Sequence, residues 1–464
     1  MSSIRRGGRR LLIVLTAGFA AACTGDHAPV PVAGGASAGE SSPAGTSSPA
    51  ARYDGPELPG LARQPAWSLA GDHAGWKIFA LGDAAALVYR PDASSTPTGP
   101  SSVDKPGGDG PDVIEFRDSK SGEVRKSVRT TVKEARQGIY NGKPVLYVYY
   151  QKVTPSDGLS AEKRTDVREA YDANGTKVMS VAKPVDEQTF AVADGWVVSS
   201  KKGDPALTIS DVQDKVRHRV DCGGDSLCAV QTPYVVFGST KLPAVVGNLG
   251  FQAQPIVGSS GVHALRVVAT NLETGQQAWS TATMDKPSGA AAETKVTGAH
   301  ATPIRMIGGK LLLAWYTERS DGFGERGEIL ALHDPATGKL LITGPELGNG
   351  YGSMVIDDGE QTAVVTDAAH DARSLAWELG TGRTLWRQEK SERGLQPQVI
   401  AGDVLYGLVE PQPGTSTRSL IAVDLKTKTV RENNLKGTPV PVSAGKGYVA
   451  VSGPSGLFAF PTAS

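Results

Sequence analysis

Three cysteines in 464 residues, seven scattered histidines and no excess charge of either sign remove several classes of protein at once. With 48 basic residues against 48 acidic, the chain has no field with which to draw in nucleic acid or anionic headgroups. His27, His73, His218, His263, His300, His333 and His370 stand too far apart for a helical zinc motif. Amphipathic helical periodicity is missing from about residue 65 onward, and no apolar run is long enough to span a bilayer. The run Leu11 to Ala22 covers twelve residues, where a spanning helix needs ~20.

What flanks that run gives it a role. Arg5, Arg6, Arg9 and Arg10 precede it and Ala20-Ala21-Ala22-Cys23 closes it, the layout of an export signal. Small residues directly before a cysteine resemble the lipobox of bacterial lipoproteins, although Ala20 stands where Leu or Val is usual. Residues 1–23 are therefore expected to be a lipoprotein signal peptide with Cys23 as the lipid anchor. The expected location is the extracytoplasmic face of the cell membrane, held by lipid alone. Arg9-Arg10-Leu11-Leu12 also resembles a twin-arginine signal. Without the four signal arginines, 44 basic residues face 48 acidic ones.

Residues 24–64 are rich in Ala, Gly, Ser and Pro and poor in large apolar side chains, so they read as a flexible tether that buries too little to offset its ordering entropy. Gly35-Ala36-Ser37-Ala38-Gly39 matches the serine-hydrolase elbow only formally, because low-complexity sequence supplies neither the strand before it nor the helix after it. Cys222 and Cys228 flank Gly223-Gly224-Asp225. In an exported chain the natural reading is a disulfide closing a small loop, with two free buried thiols as the alternative.

From residue 65 to 464 one phrase keeps returning. Asn271-x-x-Thr274-Gly275-x-x-x-Trp279 recurs as Glu378-x-x-Thr381-Gly382-x-x-x-Trp386 and, with Ile342 for Trp, after Asp334 and Gly338. Asp118-x-x-Ser121-Gly122 and Asp424-x-x-Thr427-Lys428 keep its first half; Asp211 to Lys215 and Asp172 to Gly175 are worn copies. Such a phrase is a hairpin turn: the acidic or amide side chain accepts a backbone N–H two residues on, and Gly supplies a positive φ. Its Gly, or the Lys replacing it, falls at 122, 175, 215, 275, 338, 382 and 428, intervals of 40 to 63, the spacing of four-stranded propeller blades.

A second recurring element counts one unit more. Apolar runs at 85–89, 145–150, 196–199, 234–237, 311–316, 362–366, 404–409 and 448–451 read as second strands, eight for seven turns. The eighth unit stops after Leu457-Phe458-Ala459-Phe460, and Pro65-Ala66-Trp67-Ser68-Leu69 has the character of its missing last strand. The chain is therefore expected to be all-β, an eight-bladed β-propeller (seven as the alternative), closed by Trp67 beside Phe458 and Phe460. The constant register of the tryptophans points to packing between blades, and strand placement gives Trp76, Trp196 and Trp315 a core role.

The repeated phrase over residues 65–464 resembles the PQQ-type β-propellers, a superfamily that includes quinoprotein alcohol dehydrogenases and the propeller lipoprotein of the bacterial outer-membrane assembly complex. The resemblance would allow pyrroloquinoline quinone, but the dehydrogenases' adjacent cysteines are missing: Cys222 and Cys228 are separated by five residues. No Cys-x-x-Cys-His haem motif is present. Asp104, Asp109 and Asp112 fall in a Pro/Gly-rich insertion that reads as a loop rather than a calcium site. Gly322-Phe323-Gly324-Glu325-Arg326-Gly327 matches a dinucleotide fingerprint but has no helix after it. No cofactor, metal or catalytic residue is expected.

The insertions carry the functional reading. Segments 91–112, 154–166, 240–262, 285–300, 318–327 and 410–418 all join second to third strands or one blade to the next, so they open on one face. Long loops on one face of a rigid scaffold are where binding resides. The expectation is a monomeric, non-catalytic binding or scaffold module whose partner is an envelope protein or polysaccharide. The alternative is a quinoprotein-like dehydrogenase.

Overall fold

The computed structural model describes residues 51–463 apart from 74, 92–110, 186–187, 202–205, 222–228, 232–233, 238–239, 257–263, 294–297, 318–326, 349, 369–372, 412–416, 434 and 436. The chain separates into Met1–Ser47, outside the described residues, and Ser48–Ser464, which carries the fold. Cys23, Cys222 and Cys228 lie outside the described residues.

The fold is an eight-bladed β-propeller. Seven blades are built on four antiparallel strands in sequence order, as in Lys77–Leu81, Ala84–Tyr89, Asp112–Asp118 and Val124–Thr130 of the first; the fourth adds the short Gly298–Ala299, parallel to Ala264–Asn271. Second strands lie between neighbouring blades and need apolar residues on both faces. Ala84–Tyr89 is accordingly buried along nearly its whole length, and so is Lys310–Tyr316. Outer strands meet solvent and alternate instead, as Val124–Thr130 does.

The last blade takes three strands from the C-terminus and its fourth from the N-terminus. Trp67–Ala70 pairs antiparallel with Gly456–Pro461, setting Trp67 opposite Ala459 and Ser68 opposite Phe458. Because side chains alternate along a strand, Trp67 turns one way, toward Ala85 and Leu87 of the first blade. Phe458 and Phe460 turn the other way, toward Val404 and Tyr406 of the seventh. They are neighbours in the sheet but sit on opposite faces of it.

The turns between third and fourth strands share one geometry. Gly122, Gly275, Gly338 and Gly382 have φ of 73°, 72°, 72° and 82°, and each donates its N–H to the carbonyl of the acidic or amide residue four back. Asp118 Oδ1 accepts from the backbone N–H of Lys120 and Ser121, and Asp334, Asp424 and Asn271 repeat this. Gly175 (φ 71°) closes a turn one residue shorter on Asp172. The third-blade turn is short in the same way: Asp214 holds the positive φ (64°), not Lys215 as the spacing suggests.

Tryptophans at the fixed offset pin one blade to the next. The indole Nε1 of Trp279 donates to Pro335 O at 2.9 Å and that of Trp386 to Leu425 O at 2.8 Å, each the residue after the acid of the following turn. The turn glycine lies under the ring: a Cβ on Gly338 would come within 3.0 Å of Trp279.

Three expectations change. Residues 51–63 of the expected tether pack on the last two blades. Leu58 and Leu61 are buried there, Tyr53 lies edge-on to Phe458 and Phe460 at 5.2 and 5.0 Å, and Ala463 N–H donates to Gly60 O. A few well-placed apolar groups suffice to order a Pro/Gly-rich segment that already runs along a sheet edge. Tyr234–Phe237 is not the second strand of the fourth blade; Leu249–Pro255 is. Ala229–Gln231, Tyr234–Phe237 and Thr240–Pro243 form an additional three-stranded sheet, and after Ala244 the chain continues as the fourth blade's first strand, Val245–Val246. Segment 240–262 is therefore largely strand. Segment 154–166 is shortened likewise, since Lys143–Thr154 and Lys163–Tyr171 extend the second blade's hairpin.

Candidate functional site

Antiparallel order sends the third-to-fourth-strand turns to one end of the propeller, and their charges are answered there internally. Arg125 bonds Asp83 and Asp118 of its own blade, and Arg431 does the same with Asp403 and Asp424. Asp83 and Asp403 follow Gly82 and Gly402 in the first hairpin, while the arginines stand seven residues past the turn acid. These two blades, the first and the seventh, share a signal that the turn phrase alone does not include. Backbone N–H groups and Arg125 hold the Asp118 carboxyl down to about 2, and Arg431 likewise lowers that of Asp424. Gly122, Gly175, Gly275, Gly338 and Gly382 belong to this end as turn formers. The acids are spent on turns and ion pairs, which leaves no free nucleophile or base among them.

The opposite end, carrying the long connections, contains the concave surface. A cleft of about 1010 Å³ over the seventh blade is lined by Arg393, Leu408, Arg418, Leu435, Thr438 and Val440. Val440 also lines a second hollow of about 410 Å³, with Trp76, Phe79, Ala135 and Val442. The two hollows adjoin at this residue, and together, as the groove, they border blades seven, eight, one and two. Its seventh-blade end is basic and its middle is apolar. Val442 is 37 % exposed there, one of few large apolar side chains so placed among the described residues.

The apolar wall is held rigidly. Trp76 is stacked between His73 (4.2 Å, 7°) and Tyr89 (3.8 Å, 4°). Tyr89 Oη donates to Glu115 Oε1 at 2.8 Å, and Arg117 grips the other carboxylate oxygen. Burial lowers the His73 pKa, so the ring is neutral at pH 7 and lies flat against the indole. At the basic end Arg418 is tied to Glu410 and Gln396, and Arg393 donates to Glu410 O. An edge of Trp76 and the side chains of Phe79, Val440 and Val442 are what a ligand would meet.

None of these groove residues is singled out by the repeated phrase. They come from four blades hundreds of residues apart, and only Trp76 carries a mark in sequence, as a tryptophan outside the repeat register.

A family model described as "Outer membrane protein assembly factor BamB" matches residues 163–434, more than half of the chain. The chain belongs to this BamB family of PQQ-type propellers. Among solved structures it is similar to BamB from Moraxella catarrhalis, at 12 % identity over 86 % of this chain and 99 % of that one, with a TM-score of 0.38. It is also similar to the computationally designed Ika8 protein, at 13 % identity, 86 % and 99 % coverage and a TM-score of 0.40. The C-terminal WD40 domain of Sif2 aligns at 8 % identity, 86 % and 98 % coverage and a TM-score of 0.37. No curated protein sequence matches. Membership of a BamB-like propeller family supports a propeller that acts as a scaffold or binding module.

Proposed function

We propose that the protein is an exported, lipid-anchored propeller without catalytic activity that binds a protein partner at the cell envelope through its long-loop face. The observation that carries this reading is the groove. It is a pair of adjoining hollows with an apolar centre, bordered by four blades on the face where the connections are long, while the acidic residues of the other end are consumed by turns and ion pairs. A protein segment suits it better than a polysaccharide. Both faces of Trp76 are already covered by His73 and Tyr89, so the ring has none left on which a sugar could stack. The description of the family as an assembly factor agrees with a protein partner. Anchoring through Cys23 would hold this face near other envelope proteins.

The test is quantitative co-purification from intact cells after mild crosslinking. Wild type and the outer-strand variant Val430→Asp should retain the same partner, and the groove variant Val442→Asp should lose it at least tenfold while melting as wild type does. Equal recovery with all three would overturn the groove as the binding surface.

A further inference from the structure

The third strand of each blade has an outer edge, and its main-chain groups are answered blade by blade. In the first, third and fifth blades the fourth strand reaches the far end of the third, pairing Asp112 with Thr130, Ala206 with Asp221 and Glu328 with Leu347. Elsewhere a neighbouring residue finishes the edge. Val185 N–H donates to Arg164 O in the second blade, Gln388 N–H to Ser374 O in the sixth and Gly71 N–H to Ser455 O in the eighth. In the fourth blade the outer strand stops at Ser280, and Gly298–Ala299, from the connection to the next blade, lies along Ala264 and Leu265 in its place.

The seventh blade is the exception. Its third strand is Ser419–Asp424, and its fourth, Val430–Glu432, ends with Glu432 opposite Ala422. Asp424 N–H donates outward to Thr429 O, and Leu425 N–H inward to Asp403 O. Main-chain groups alternate along a strand, so Ala422 and Leu420 also turn their N–H and C=O outward. Ala422 has Glu432, whereas Leu420 has no partner on that side among the described residues. Residues 417–421 line the cleft of about 1010 Å³ instead. The Leu420 side chain is buried in one apolar cluster with Leu435, against which Leu408 packs. The cleft thus offers a strand's main-chain donor and acceptor together with apolar side chains.

We propose that this cleft takes an extended segment of the protein partner as an added strand beside Ser419–Ile421, its main chain bonded to Leu420 and an apolar side chain opposite Leu420. The occupant follows from what the cleft leaves unpaired. An N–H and a C=O on one strand edge are answered together by another peptide main chain, and an apolar side chain next to Leu420 meets Leu408 and Leu435. Size agrees, since an extended chain advances ~3.3 Å per residue and about three or four residues cover the open stretch. The fourth blade shows this fold accepting an extended piece from outside its four strands at the same edge. The proposal rests on the protein-binding reading of this face and gives it a binding mode.

The experiment measures amide hydrogen exchange at Leu420 in the full chain, with the capped peptide acetyl-Thr-Val-Thr-Val-Thr-amide as probe. The peptide should slow exchange at Leu420 severalfold and saturably. Only one edge of an added strand faces the protein. N-methylation of one alternate set of peptide amides, those of Val or those of Thr, should therefore abolish the effect, and methylation of the other set should keep it. Thr438→Arg, a change in the lining of the cleft, should weaken the peptide severalfold with an unchanged melt. If that variant fails to fold, the methylated pair decides. Unchanged exchange at Leu420 up to the solubility of the peptide, or loss of the effect with both methylated peptides or with neither, would overturn the proposal. So would a concentration-dependent dimer in sedimentation that Thr438→Arg abolishes, which would give the edge to a second copy of the chain. None of these outcomes alters partner recovery with Val442→Asp, which lies in the other hollow, so the binding mode and the binding surface fall separately.

Discussion

The indole Nε1 of Trp67 donates to the carbonyl of Ser119 at 2.8 Å, fifty-two residues along the chain. Ser119 follows the turn acid Asp118, so this bond occupies the place held by Trp279 on Pro335 and by Trp386 on Leu425. The N-terminal strand thus carries the same inter-blade pin as the internal blades. A Cβ on Gly122 would come within 2.5 Å of the Trp67 ring, which shows how closely the turn is seated on it. Trp67→Ala should destabilise the propeller by about 3–5 kcal/mol, as large aromatic truncations in a core do. Trp67→Phe keeps much of the packing and loses the hydrogen bond, so it should cost the smaller amount of about 1–2 kcal/mol plus any cavity term. Urea unfolding of the two variants separates these contributions; equal, negligible losses would mean that the ring is not held at this seam.

Residues 51–63 give a second prediction. Leu58 and Leu61 are buried between blades seven and eight, and Tyr406 Oη bonds Pro59 O. Each fully buried side chain of this size contributes about 1.5–3 kcal/mol. A chain beginning at Gln64 should therefore melt well below one beginning at Ala51, and Gly456–Pro461 should exchange its amides faster. Identical melts would show that the segment adds nothing.

Two glycines with nearly the same backbone separate conformational strain from packing. Gly309 (φ 74°) has open space where a Cβ would be, whereas a Cβ on Gly338 (φ 72°) would meet Met284 at 2.8 Å and Trp279 at 3.0 Å. Gly309→Ala should cost only the left-handed penalty of about 1–2 kcal/mol. Gly338→Ala should cost more, since it also has to move Trp279. Equal losses would mean that the turn does not rest on the ring.

Acid stability follows from the turn carboxylates. Asp118 has its pKa lowered to about 2 in the fold, below the ordinary value, by backbone N–H groups and Arg125. A lowered folded value means that its contribution is complete above the unfolded pKa of ~3.9 and is lost as pH falls through about 2. The same direction holds for Asp424 beside Arg431. Asp118→Asn should flatten the slope of stability against pH between about 4 and 2 and leave the slope above pH 5 unchanged. The absolute gain is modest because the pair is partly exposed. A slope unaltered by the substitution would remove Asp118 from the acid transition.

Much of this fold can be read in advance because the propeller repeats its chemistry locally. A turn acid, a glycine with positive φ and a tryptophan at constant offset are all needed within nine residues, so they leave a phrase such as Asn271 to Trp279. Where the constraint is weaker the phrase wears away. Asp214 tolerates the left-handed conformation and hides the shortened turn from a search for glycine. The second strand Leu249–Pro255 is hard to see because it starts in Gly247-Asn248-Leu249-Gly250, which has turn chemistry, while Tyr234–Phe237 upstream has the stronger apolar signature. Tyr53, Leu58 and Leu61 show no strand period, because they fill separate gaps along an edge. The groove is hidden for a different reason: Leu408, Val440, Val442 and Trp76 become neighbours only when the ring closes, so no local pattern could unite them.

The most direct measurement of the binding account is a photo-crosslinker scan in intact cells. A photoreactive residue is placed in turn at Thr438, Val442 and Phe79 in the groove, and at Val124, Val216 and Val430 on exposed outer strands. The account predicts one protein adduct of the same mass from the three groove positions and none of that mass from the outer strands. The same adduct from the outer strands, with none from the groove, would contradict it.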